Sequence, residues 1–143
     1  MSGIDPTWPV LGRTDNATFH AASSRVIVVV PDAGCTDDEN TARQSVQFQR
    51  DHWRAHETSG TAIILMDQVS HQTREARRVY QSNTEVDTRT INGFALISSS
   101  VFGRAVASVF MGLARPPVPT RMFADVPGAL EWANAINAEA DEP

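Results

Sequence analysis

Residues 62–136 contain three short apolar runs, AIILMD (62–67), FALIS (94–98) and TRMF (120–123). Each run leads within a few residues into a segment with helical spacing of its apolar side chains. These segments are SHQTREARRVY (70–80), VFGRAVASVFMGL (101–113) and VPGALEWANAI (126–136). Strands that alternate with helices of this length predict an α/β domain with a largely parallel sheet.

A β-hairpin is predicted upstream of these units, with strands at residues 17–21 and 25–30. The second strand contains VIVVV (26–30), which lacks polar alternation and is typical of a strand covered on both faces. We therefore predict one domain over residues 17–138, a mixed, largely parallel sheet flanked by about four helices. A flexible arm over residues 1–16 and an acidic tail over residues 139–143 complete the prediction.

The first long helix is expected to start at a capping box formed by Thr36 and Glu39. It should run to about Glu57, because Gly60 then breaks the helical pattern. The next helix can be capped by Ser70 or Thr73, since a hydroxyl at a helix start accepts a hydrogen bond from the backbone.

Composition excludes several classes of function. A chain of 143 residues fits one domain, and its net charge of −5 argues against a nucleic-acid-binding surface. The single cysteine, Cys35, excludes an internal disulfide framework and fits a reducing cytoplasm. The longest apolar run, residues 101–114, contains Arg104 and falls short of the roughly 20 residues that a bilayer requires. The first sixteen residues are polar and do not resemble a signal peptide.

Polar side chains stand where two predicted strands end. Asp67 follows one strand and Ser98, Ser99 and Ser100 follow the next, so these four residues are candidates for contact with an anion or another ligand. Helix capping is the simpler explanation of the serines. The chain lacks the Gly-x-Ser-x-Gly pattern of a nucleophile elbow and any phosphate-binding glycine loop. We therefore predict no catalytic residues and no enzymatic activity.

Asp32, Asp67 and Ser98 also stand at positions like those of a phospho-receiver domain. Two observations count against that interpretation. The segment before residue 62 leaves no room for the second receiver strand, and the strand at Arg121 lacks the lysine that neutralises a phosphoryl group.

A metal site and an acidic-partner site receive little support. His52 and His56 are four residues apart on the first helix, but the glutamate of a metalloprotease helix and a third ligand are missing. Arg74, Arg77 and Arg78 are better explained as a solvated helix face. We predict neither a metal nor a cofactor.

The segment 101–113 carries a wide apolar face. A helix of this kind packs against the sheet or offers a surface to another molecule. If it is an interface, a homodimer or protein partner would contact Phe102, Val106, Val109, Phe110 and Leu113.

Several segments resemble those of the SpoIIAA-like, or STAS-like, bacterial proteins. ILMD (64–67) with TREAR (73–77) looks like their strand-plus-helix segment, and FALISS (94–99) with RAVASVF (104–110) like their next unit. PTRMF (119–123) with ALEW (129–132) is similar to their closing strand and helix. The resemblance covers residues 25–136. It implies a mixed sheet flanked by helices.

The resemblance also implies a non-enzymatic regulator that binds a partner kinase and is switched by phosphorylation of a serine at a helix start. The Asp-Ser-Ser-Gly-type segment of that family is missing here, and Ser70 or Thr73 would take the analogous place. We therefore expect a cytoplasmic regulatory or protein-interaction module. The alternative is a pocket for a small apolar ligand or lipid, as in the similar sheets of CRAL-TRIO domains.

Overall fold

The computed structural model describes residues 4–100 and 116–142, and its centre is a mixed six-stranded sheet. In order across the sheet, the strands are β1 (Val10–Arg13), β2 (Ala17–Ser23), β3 (Val26–Pro31), β5 (Gly60–Leu65), β7 (Ile91–Ile97) and β8 (Thr120–Phe123). β1, β2 and β3 are antiparallel to one another, whereas β3, β5, β7 and β8 run parallel. Two further strands, β4 (Cys35–Asp37) and β6 (Val69–Gln72), form a separate parallel pair.

Three helices of the described residues cover both faces of the sheet. They are α1 (Glu39–Ala55), α2 (Arg74–Tyr80) and α3 (Val126–Ala140), and a 3-10 turn at Met66–Gln68 follows β5. α1 and α2 pack on one face with Ile27 and Val29, and α3 packs on the other with Val26 and Val28. The uniformly apolar sequence of β3 is therefore explained by burial on both sides. The predicted fold class and the amino-terminal hairpin are confirmed.

The predicted helix start at Thr36 is wrong. Residues of β4 remain extended as far as Asp37, because β4 pairs with β6. The N-cap of α1 is instead Asp38, two residues after Thr36, and its carboxylate accepts a hydrogen bond from the Thr41 amide at 2.9 Å. The Thr41 hydroxyl contacts the Asp38 amide in return, at 2.9 Å, and completes the capping box.

Of the two caps predicted for the next helix, Thr73 is confirmed and Ser70 is wrong. Ser70 lies in β6, and the helix starts only at Arg74 after the N-cap Thr73. The reason is a long-range pairing, Cys35 with Val69, that local periodicity does not contain.

Among the described residues, regular structure extends into the segments predicted as a flexible arm and an acidic tail. β1 lies within the predicted flexible arm and pairs with β2, while Ile4 and Trp8 pack against the α3 side of the core. At the other end, α3 continues to Ala140 and so enters the predicted acidic tail. The helix predicted over residues 101–113 lies outside the described residues. Within residues 4–100 and 116–142, no helix is long and apolar enough to cross a membrane.

Candidate functional site

The carboxyl ends of β5 and β7 bring four of the predicted site residues together. The Ser98 hydroxyl donates to Oδ1 of Asp67 at 3.1 Å, and the Ser99 amide donates to Oδ2 at 2.8 Å. The Ser100 amide lies 3.3 Å from the Ser98 oxygen. We call Asp67, Ser98, Ser99 and Ser100 the strand-end edge. An anion at this edge would meet the negative charge of Asp67, which already accepts the Ser99 amide hydrogen.

The two candidates for phosphorylation lie on the β4–β6 side of the molecule. Ser70 is exposed, and its hydroxyl is within 2.9 Å of the Gly34 carbonyl and 3.1 Å of the Cys35 carbonyl. Thr73 caps α2, because its hydroxyl oxygen accepts a hydrogen bond from the Ala76 amide at 3.1 Å. A phosphate on Ser70 would disturb the link between β6 and the turn before β4, so Ser70 stays a candidate switch.

The remaining polar candidates contact residues outside the strand-end edge. Asp32 forms a surface ion pair with Arg13 at 2.8 Å, and its hydrogen bonds with that guanidinium hold the pKa of the Asp32 carboxyl below its usual range. His52 and His56 stack with ring centroids 4.3 Å apart, and burial, then the neighbouring His56, lowers the pKa of His52. The described residues contain no group of three side chains suited to holding a metal ion. The predicted interface residues Phe102, Val106, Val109, Phe110 and Leu113 lie outside the described residues.

A cavity of about 570 Å³ lies between the sheet and the α1–α2 layer. Its volume is within the range of roughly 300–1,000 Å³ that small-molecule sites occupy. Every parallel strand of the sheet contributes apolar lining. The lining includes Val29, Ile64, Phe94, Leu96 and Met122, with Met66 and Val69 beyond the end of β5.

Part of the cavity lining is polar and is organised around one buried carboxylate, Asp37. Oδ1 of Asp37 accepts the Thr41 hydroxyl at 2.7 Å, and Oδ2 accepts the Tyr80 hydroxyl at 2.9 Å. The Gln72 amide also donates to Oδ2, at 3.2 Å. We call Asp37, Thr41, Gln72 and Tyr80 the Asp37 network. Burial raises the pKa of Tyr80 well above its usual value, and the negative charge of Asp37 raises it further.

The Asp37 network was missed from the sequence for a physical reason. Asp37 and Asp38 are adjacent acidic residues before a helix, and both fit the favourable interaction of carboxylates with a helix amino end. Only the pairing of β4 with β6 turns Asp37 toward partners 35 and 43 positions away. No local spacing carries that signal.

Comparison with solved structures shows the SpoIIAA-like fold. One similar structure is an uncharacterised protein of the DUF3478 family with a SpoIIAA-like fold from Shewanella loihica PV-4. It has a TM-score of 0.51 and 12% identity over 88% of this chain and 91% of that chain. Another is the anti-sigma factor antagonist SpoIIAA in its unphosphorylated form. It has a TM-score of 0.54 and 13% identity over 82% of this chain and 97% of that chain.

The predicted resemblance to SpoIIAA-like proteins is therefore confirmed at the level of the fold. No curated protein matches this sequence. A family model described as a domain of unknown function, DUF7793, matches residues 27–137, from β3 to the last turns of α3. The match spans more than half of the chain, so this protein belongs to the DUF7793 family.

Proposed function

We propose that this protein is a non-enzymatic regulatory module that acts through contacts with another protein. The observation that carries the proposal is the fold, which resembles an anti-sigma factor antagonist over 97% of that chain. At the strand-end edge, the Asp67 carboxylate accepts hydrogen bonds from the Ser98 hydroxyl and the Ser99 amide, an arrangement that orders a surface open to a partner. The single thiol, Cys35, is consistent with work in the cytoplasm.

The partner would contact the strand-end edge and the neighbouring exposed Ser70. Ser99 and Ser70 are both exposed, so a partner can reach them without local unfolding. A photo-crosslinking residue placed at Ser99 or Ser70 in living cells tests this surface directly. The matched control is the same residue at Asp51, which is exposed on α1 and lies in neither group of residues.

We expect a discrete adduct from Ser99 or Ser70 and none from Asp51. Adducts of equal yield from all three positions, or from Asp51 alone, would reject the proposed surface. Light scattering over a range of concentrations separates self-association from a different partner, because a homodimer gives twice the mass of one chain. A switch by phosphorylation predicts that a kinase partner labels the protein and that Ser70→Ala or Thr73→Val removes the label.

A second function, the binding of a small apolar molecule, is supported by the cavity. Its volume lies within the range of small-molecule sites, and four parallel strands contribute apolar side chains to its lining. Native mass spectrometry of the purified protein tests this function. A bound species that organic solvent removes would support it, and a spectrum with only the mass of the chain would count against it.

A further inference from the structure

We propose that the cavity takes an amphipathic molecule whose head group is a protonated amine, held by the carboxylate of Asp37. The proposal rests on the second proposed function, because it names the class of ligand for that cavity. Its basis is the combination of a large apolar lining with one buried carboxylate.

The side chains that donate hydrogen bonds to the Asp37 carboxylate are all neutral. Asp37 is only 6% exposed, and its hydrogen-bond donors are a threonine hydroxyl, a glutamine amide and a tyrosine hydroxyl. Among the described residues, Asp37 forms no ion pair. A buried carboxylate without a cation is costly, and its three side-chain hydrogen bonds, together with the positive end of the nearby α1 dipole, offset only part of that cost. A cationic ligand would supply the missing charge.

The carboxylate also has the capacity to accept the ligand. A carboxylate offers roughly four acceptor positions, and Thr41, Gln72 and Tyr80 account for three of them. A protonated amine carries three donors on a compact head and an apolar stem, so it can use the fourth position while its stem contacts the strands. The fit is therefore one of charge, of hydrogen bonding and of apolar surface.

Arg77 also lines the cavity and is the argument for the opposite head group, a carboxylate. Its guanidinium already donates to the Gln72 carbonyl at 3.0 Å and takes part in a further interaction. A ligand carboxylate near Arg77 would also lie in the field of the buried Asp37 carboxylate and would be repelled by it. The geometry favours the amine.

Three probes with the same apolar chain and different heads test the proposal. Octylamine, octanol and octanoate are titrated into the purified full chain at neutral pH and followed by calorimetry. We expect octylamine to bind roughly ten-fold more tightly than octanol, which is the size of effect that a hydrogen bond to a charged group produces. Octanoate should bind most weakly of the three.

Asp37→Asn should remove the preference for octylamine and leave octanol binding within about two-fold, because a neutral amide keeps the shape of the side chain. Asp38→Asn is the matched control. It removes the same charge one residue away, keeps the N-cap of α1, and should leave the preference intact. If Asp37→Asn does not fold, Tyr80→Phe replaces it. That variant keeps the charge of Asp37 and should retain the preference.

Leu96→Trp fills the apolar part of the cavity and should weaken all three probes alike. Binding that lacks an amine preference but is lost in Leu96→Trp would overturn the head-group inference and leave the small-molecule function standing. Tighter binding of octanoate would overturn it in favour of Arg77. Absence of binding by all three probes would reject both the inference and the small-molecule function, with no bearing on the protein-contact function.

Discussion

The side chain of Asn137 on α3 forms three hydrogen bonds in a buried polar network at the amino ends of the parallel strands. Its Oδ1 accepts the Thr61 hydroxyl at 2.7 Å and the Asn92 amide at 2.9 Å. Its Nδ2 donates to the Arg25 carbonyl at 2.9 Å. Asn137 is 4% exposed, and its side chain connects β5, β7 and the turn before β3 to α3 without help from solvent. Asn137→Ala removes all three hydrogen bonds at once.

The expected loss follows from the groups that the substitution leaves behind. A net intramolecular hydrogen bond contributes about 1 kcal/mol, and a buried polar group left without a partner costs about 1–3 kcal/mol. Thr61 is fully buried, so its hydroxyl becomes such a group. Alanine recovers about 0.6 kcal/mol through its higher helix propensity. We expect Asn137→Ala to lower the free energy of unfolding by roughly 3 kcal/mol, a large part of the 5–15 kcal/mol of a typical domain.

Urea denaturation followed by tryptophan fluorescence measures this loss, since Trp53 is fully buried and reports on unfolding. Asn134→Ala is the matched control, because Asn134 is exposed on the same helix and gains the same helix propensity. Thr61→Val in the Asn137→Ala background should restore part of the stability by removing the orphaned hydroxyl. A loss for Asn137→Ala within 0.5 kcal/mol, roughly the scatter of surface substitutions, of that for Asn134→Ala would refute the argument.

Three further predictions follow from packing, capping and titration. Gly60→Ala should destabilise the fold by about 3 kcal/mol or more, because its Cβ would overlap the Trp53 ring; a melting temperature unchanged from wild type would contradict this. Asp38→Ala should cost about 1 kcal/mol of stability, whereas Thr36→Ala should cost almost nothing. Equal losses for the two variants in urea denaturation would favour the capping box predicted from sequence, with Thr36 as the cap. The raised pKa of Tyr80 predicts a contribution to stability that is complete below the ordinary tyrosine pKa of about 10 and is lost as pH rises above it toward the folded-state value. An ultraviolet titration in which the phenol of the folded protein ionises at its ordinary pH would contradict this prediction.

Local pattern was sufficient for the two-sided burial of the sheet and for the order of the elements other than β1, β4 and β6. The run VIVVV has no polar position, and only a strand covered on both faces makes that composition favourable. The meeting of Asp67 with Ser98 also followed from pattern, since the carboxyl ends of neighbouring parallel strands share one edge. These inferences depend on residues close together in sequence or on a general property of parallel sheets.

Pattern failed where a distant segment changed the local conformation. Ser70 and His71 fit a helix start, but pairing with β4 draws them into a strand. The same pairing extends Asp37 and moves the cap of α1 to Asp38. From the sequence, Gly60 is interpreted as a helix breaker. In the structure, its lack of a side chain lets the Trp53 ring lie closer to the backbone than a Cβ atom would permit. Each of these errors has one cause, a tertiary contact that outweighs local propensity.

The cavity and the strand-end edge share one residue, and this bears on how the proposed ligand and partner would coexist. Ser98 lines the cavity and donates its hydroxyl proton to Asp67. A hydroxyl has a single proton to donate, so a ligand that needs a donor at Ser98 would break the bond to Asp67 and disturb the edge. A ligand that donates its own hydrogen bonds to Asp37 needs no donor from Ser98. An amine-headed molecule can therefore fill the cavity while the edge keeps its hydrogen bonds.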